Sequence, residues 1–228
     1  ALVAAVGTVK MIARTLAAPI NAFVEWTDAT KGLTEAQLEY IQTIEQSVGV
    51  SDRVAADLLG ATPMDRPEWT TIGTSGEVFW TLTNNTNRSE ANAANPEAPN
   101  SDGHIIRTRD SGDHLGNDFT WDIFVFGSPA NGDADTNRSS LSDMNQFASP
   151  DGLAFDARGI LWIQTDNGAD ELTSYTNDQM LAVVPSKLID DNGNSAVIDE
   201  GNQAQLKRFF VGPNGCEVTG FTISPDYK

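Results

Sequence analysis

The strongest restriction on how this chain can fold is a short frame that recurs along it. The stretch SPDGLAFDARGILWIQTDN at residues 149–167 sets an acid, Asp151, in a Pro-Gly turn ahead of a strand-like run. MDRPEWTTIGTSGEVFWTLTN at 64–84 does the same with Glu68, and GCEVTGFTISPD at 215–226 opens the same way with Glu217. In the two complete copies a Gly-containing hairpin follows (GTSG, DARG). The next strand then carries a Trp and ends in Thr plus Asn or Asp (FWTLTNN, LWIQTDN). The spacing from acid to Trp is nearly constant (80 − 68 = 12 and 162 − 151 = 11), while the acids lie 83 and 66 residues apart (151 − 68 and 217 − 151). Loops such as NTNRSEANAANPEAPNSD and GSPANGDADTNRSSLSDMNQFA absorb that difference.

Around the frame the chain falls into two regimes. Up to about Gly60 it reads helical. Thr34 and Gln37 make a capping box, and Leu38, Ile41, Ile44 and Val48 recur at helical spacing. SDRVAADLLGA at 51–61 starts on a Ser/Asp cap and ends at a Gly, as a second short helix would. We therefore expect an N-terminal helical segment over 1–60 and a strand-rich region over 61–228. In that region EWTTIG, EVFWTLTN, GHIIRTRD and FTWDIFVFG form one set. GLAFDARG, ILWIQTD, QMLAVVP and QLKRFFVG form another. Each set is rich in β-branched and aromatic residues and bounded by Gly, Pro, Asn or Asp. Four short strands repeated at irregular intervals are the pattern of a β-propeller blade. A β-sandwich also uses many short strands, but the repeated motif favours the propeller. The expected fold is mainly β: a partial β-propeller of two blades plus the start of a third, with the helical segment ahead of it.

The frame also suggests chemistry. A residue just before the innermost strand of a propeller blade sits at the mouth of the central channel, so acids at that point of several blades converge. Crowded carboxylates stay ionised when a cation sits between them. The plainer reading is that Glu68 and Asp151 only cap turns. Their recurrence with Glu217 favours a metal site. Acids outnumber bases 32 to 14, a net charge of −18, which leaves no cationic stripe to meet phosphates of nucleic acid or an anionic membrane. Such a surface also suits a soluble protein adapted to salt. The single cysteine, Cys216, cannot form an internal disulfide, and no apolar run is long enough to span a bilayer. The chain lacks an initiator Met and stops as a strand pattern opens, so we expect a piece of a longer protein.

From about Leu58 onward, MDRPEW, TLTNNT, HIIRTRD, FTWDIFVFG, SPDGLAFDARGILWIQTD, QMLA, RFFVGPNGCEVTG and FTISPD resemble, in order, the C-terminal half of PhoX-type alkaline phosphatases. The first 57 residues carry the resemblance more weakly. It implies a six-bladed propeller with a helical insertion, and hydrolysis of phosphate monoesters at a cluster of iron(III) and calcium ions. It also implies export to the periplasm or beyond, and a monomer acting on a phosphate ester. Carried over, Glu68 matches a metal-ligand acid, Asp151 a second ligand, and Glu217 an acid of the third repeat. Arg66 matches an arginine that grips substrate phosphate; its alternative is an ion pair with Asp65 or Glu68. The family's iron-binding cysteine lies in a segment not found here, and Cys216 reads instead as a buried thiol behind the site. The piece is expected to be inactive alone if blades and ligands are missing.

Two other readings use the same fold. A calcium-dependent propeller hydrolase such as a lactonase shares the PDG-L-x-F-D motif, although the pair MDRPEW and GCEVTG speaks against it. A non-catalytic binding propeller would carry no iron. Lesser motifs read as structure. Asp133, Asp135 and Asn137 start like a calcium loop, but Arg138 and Met144 stand where Gly and Glu are needed. DDNGN at 190–194 reads as a turn, His104 and His114 as structural or surface residues, and Trp80, Trp121 and Trp162 as core.

Overall fold

A computed structural model of the chain describes residues 60–112, 118–167 and 174–224. The expected helices and His114 lie outside these residues. The chain divides into two compact units, residues 1–63 with 111–119, and residues 64–110 with 120–228. The architecture below belongs to the second, with the start of its fourth strand at the border.

Among the described residues the regular structure is two four-stranded antiparallel sheets and two short 3-10 turns. The first sheet runs β1 (Pro67–Ile72), β2 (Val78–Leu82), β3 (His104–Asp110) and β4 (Phe119–Phe126), in that order. The second runs β5 (Pro150–Phe155), β6 (Leu161–Thr165), β7 (Gln179–Val183) and β8 (Lys207–Val211), again in sequence order. Both are simple meanders: a tight hairpin joins the first two strands of each, and longer connections join β2 to β3, β6 to β7 and β7 to β8. All eight strands fall where the sequence runs and their Gly, Pro, Asn and Asp boundaries place them. The fold is mainly β, as expected.

The two sheets repeat one another in detail. Pro67 pairs with Leu82 and Pro150 with Thr165, an offset of 83 at both ends (150 − 67 and 165 − 82), and each strand then carries a bulge before pairing resumes at Thr70 and Leu153. Proline is suited to such a strand start because it has no N–H to leave unpaired. The residue before each proline, Arg66 and Ser149, has positive φ (46° and 54°). That region is costly for a non-glycine residue, and more so before proline. It is held by matched bonds: Thr83 N–H donates to Arg66 O at 3.1 Å, and Asp166 N–H to Ser149 O at 2.9 Å.

This register corrects the alignment of the tryptophans. Trp162 is the counterpart of Phe79, and Trp80 that of Ile163, so the two indoles point to opposite faces of their sheets. The spacings of 12 and 11 already carried this one-residue slip, which in a strand exchanges the faces.

The core lies between the sheets. One face of the first sheet, with Phe79 and Ile105, packs on the face of the second that carries Leu153, Leu161, Ile163, Leu181 and Val183. Phe79 meets Phe124 and Phe155 edge-on, with ring centroids 5.1 and 5.4 Å away. In the repeat frame these are opposite faces, so the packing is head to tail. Arg107 is fully buried here. It forks onto Asp122 (3.0 and 2.7 Å), donates to Ser195 Oγ and Ala196 O, and stacks on Phe124.

The chain after β8 starts the frame a third time. Gly215 has φ 76°, matching Ser149 66 residues earlier (215 − 149), and glycine takes this conformation freely. Phe221, the counterpart of Phe155 (221 − 155), rests on Trp162 at 5.6 Å, as Phe155 rests on the Trp162 counterpart Phe79. Residues 215–224 form no paired strand among the described residues.

Candidate metal centre and anion-binding arginine

The repeat geometry brings the starts of successive units to one place. Asp151, in the β5 bulge, meets Asp166 just past β6 and Glu217 in the segment after β8. One carboxylate oxygen from each lies within 4.8 Å of the others. Burial, then the charges of Glu68, Asp166 and Glu217, push the Asp151 carboxyl up to about 6, against an opposing pull from Arg66. A carboxyl held back from ionising by its neighbours is what a cation relieves, and an all-oxygen donor set suits a hard cation. The residues present therefore fit a metal ion.

The expected ligands are thus brought together in part. Asp151 and Glu217 belong to the tight triad. Glu68 occupies the counterpart position in β1 and is near enough to raise Asp151, but the third member of the triad is Asp166. Sequence reading passed over Asp166 as the end of a strand. Its signal was the Thr-Asp pair after LWIQ, where the first unit has Leu82-Thr83 and no acid.

Arg66 faces the same acids. Its Nη2 lies 3.6 Å from Glu68 Oε1 and 3.9 Å from Asp166 Oδ2, and its Nη1 donates to Asn84 Oδ1 at 3.1 Å. Its side chain is 49% exposed, so the guanidinium keeps donors open to solvent and to an anion. The backbone that delivers it is anchored from behind. Asp65 is fully buried and accepts from Asn85 Nδ2 at 2.8 Å, Arg88 Nε at 2.6 Å and Asn100 Nδ2 at 3.0 Å. Its own N–H donates to Asn95 Oδ1. Asp65 is thus committed elsewhere, and of the two ion pairs expected for Arg66 the one with Glu68 forms.

The turn bearing Asp151 is clamped by the first sheet. Thr81 Oγ donates to the carbonyl of Asp151 at 2.8 Å, Ser149 N–H donates to Asp102 O at 2.7 Å, and Asn84 Nδ2 donates to Ser149 Oγ at 3.0 Å. Gly152 follows because a Cβ there would strike the side chain of Gln164.

The lesser motifs fall outside this site. His104 is fully buried, its ring nitrogens engaged by Ala94 O and the Asn100 amide, and burial pushes it down to about 4. Asp133 caps its own turn through the N–H groups of Asp135 and Thr136, and Asp190 does the same for Asn192 and Asn194. Cys216 is half-buried rather than fully buried, its sulfur packed against Gly212 where no Cβ stands in the way.

Comparisons with known proteins place the chain in a family. The sequence profile described as "Alkaline phosphatase PhoX" matches residues 4–228. Among solved structures, the chain is similar to Pseudomonas fluorescens PhoX in complex with vanadate, a transition state analogue. They share 38% sequence identity with a TM-score of 0.62, over 76% of this chain and 29% of that one. This chain therefore spans under a third of that relative's length. No curated protein matches. A profile match across nearly the whole chain makes this chain a member of the PhoX alkaline phosphatase family.

Proposed function

We propose that this chain carries one side of the catalytic centre of a metal-dependent alkaline phosphatase that releases phosphate from phosphomonoesters. The observation that carries the reading is the meeting of Asp151, Asp166 and Glu217 within 4.8 Å, with the Arg66 guanidinium set against Asp166 and Glu68. Cations in the acid cluster and a guanidinium beside it are complementary to a phosphate group. The vanadate bound by the similar structure is a mimic of phosphoryl transfer, which supports the same reading.

Asp151, Asp166 and Glu217 would hold the metal, with Glu68 completing the shell; iron(III) and calcium both accept carboxylate oxygens. Such ions supply charge neutralisation at phosphoryl oxygens and an activated oxygen nucleophile. The protein's own share is orientation. Arg66 offers paired donors to two phosphate oxygens, which lysine cannot do. The Thr81 and Ser149 bonds hold the Asp151 turn while the substrate binds.

The head-to-tail packing of the two sheets and the third frame over Trp162 support a propeller, which we take to be six-bladed, with residues 1–60 as a helical segment and 61–228 as blades. No described helix is long and apolar enough to cross a membrane. We place the protein in the periplasm or outside the cell, as a monomer. The test is phosphate release from p-nitrophenyl phosphate by the full-length protein containing this sequence, before and after chelation. Hydrolysis that is lost on chelation and restored by metal is expected. Activity untouched by exhaustive chelation, or opening of a lactone in its place, would overturn the assignment.

A further inference from the structure

Asn84 stands where the two sheets meet at the proposed site, between Arg66 and Ser149. It is 5% exposed and follows β2 by two residues. Its Oδ1 accepts from Arg66 Nη1 at 3.1 Å and its Nδ2 donates to Ser149 Oγ at 3.0 Å. The orientation of the amide is fixed by chemistry. A guanidinium only donates, so the oxygen must face Arg66, and the nitrogen is left for the hydroxyl. Ser149 is wholly buried, its N–H donates to Asp102 O, and its O accepts the Asp166 N–H. A single side chain thus ties the arginine of the first unit to the turn that carries Asp151 and braces Asp166 in the second.

Without that tie Arg66 has two competing partners close by. Glu68 and Asp166 lie 3.6 and 3.9 Å from Nη2. The guanidinium would swing fully onto those acids, taking donors from an anion and charge from the metal shell. We propose that Asn84 is a positioning residue for the anion-binding arginine: it holds the guanidinium off the metal-binding acids and points its free donors at the phosphate. The inference rests on the phosphatase reading above. An aspartate here would add another negative charge to the crowd. A serine or alanine could not span both partners.

The test is a double-mutant cycle on the full-length protein, using p-nitrophenyl phosphate as substrate and inorganic phosphate as inhibitor. Asn84→Ala should raise both KM and the inhibition constant for phosphate about tenfold, the size expected for one lost hydrogen bond to a charged group. It should change kcat far less and leave bound metal at the wild-type level. In an Arg66→Ala background the same change should lower phosphate affinity by much less than tenfold, because the larger part of the Asn84 effect runs through Arg66. Additive losses in the cycle, or unchanged phosphate affinity in the single variant, would overturn the proposal. Should Asn84→Ala fail to yield folded protein, Ser149→Ala removes only the far anchor. Alone it should weaken phosphate binding several-fold, and by clearly less in an Arg66→Ala background; unchanged affinity in the single variant, or an equal loss in both backgrounds, would equally overturn the proposal. Arg66→Ala separates the two levels. If that variant alone leaves phosphate binding intact, the role given to Arg66 in the phosphatase reading fails and takes Asn84 with it. If it weakens binding while Asn84→Ala does not, only the Asn84 proposal fails.

Discussion

Glu97 gives the most direct handle on the energetics of the loop that anchors Arg66. It lies between β2 and β3 with its side chain only 13% exposed. Its Oε1 is buried without a hydrogen bond, and Arg138 Nε is 3.7 Å away. Burial, then the charge of Asp102, with a further contribution from Asp65, raises this carboxyl from 4.5 to about 7, although Arg138 pulls the other way. A rise of that size means about 3 kcal/mol weighs against the charged form in the folded protein. The sign follows from proton binding. The folded state holds the proton more tightly than the unfolded chain, so the contribution is complete below about pH 4.5. It disappears as pH rises through 7. Glu97→Gln cannot ionise and keeps the neutral shape. Urea unfolding followed by tryptophan fluorescence, from pH 4.5 to 8.5, should find the two proteins close to equal at the acid end. At pH 8.5 the variant should be the more stable by about 2–3 kcal/mol. Parallel stability curves, or a variant that is weaker at pH 8.5, would refute the reasoning and show that the ion pair with Arg138 outweighs burial.

Two further changes probe the packing and the turns. Phe79→Ala removes the fully buried ring that joins both sheets through Phe124 and Phe155, and should cost about 3–5 kcal/mol in equilibrium unfolding; a loss under 1 kcal/mol would mean that the sheets do not share that core. Gly103→Ala places a Cβ against the carbonyl oxygens of Thr83 and Leu82 at a residue with φ 75°, so it should sharply reduce the yield of soluble protein; normal yield with an unchanged melting temperature would contradict this backbone geometry.

The strands were readable because alternation and turn residues act locally, and the tight hairpins β1–β2 and β5–β6 are closed by their own Gly73 and by Asp156 with Gly159. The repeat was readable for the same reason, down to the acid at the head of each unit. The strand faces were not. A bulge after Pro67 and another after Pro150 shift the count by one, and only the pairing shows that Trp162 answers to Phe79 rather than to Trp80. Asp166 escaped because its role depends on distance across strands. It comes from the far end of β6, sits beside Asp151 only once the hairpin closes, and has Thr83 as its counterpart in the first unit, so the repeat gave no hint of an acid there. Asn84 escaped similarly, since its partners lie 18 and 65 residues away along the chain.

The claim on which the rest depends is that carboxylates from successive units share a cation. The measurement is metal content of the full-length protein by elemental analysis, wild type against Asp151→Asn from one unit and Glu217→Gln from the next, with melting temperatures taken before and after chelation. Wild type should lose metal and melt lower after chelation. Each variant should carry less metal from the start and respond less to the chelator. Wild-type metal content in both variants, with the same drop in melting temperature on chelation, would contradict the shared site.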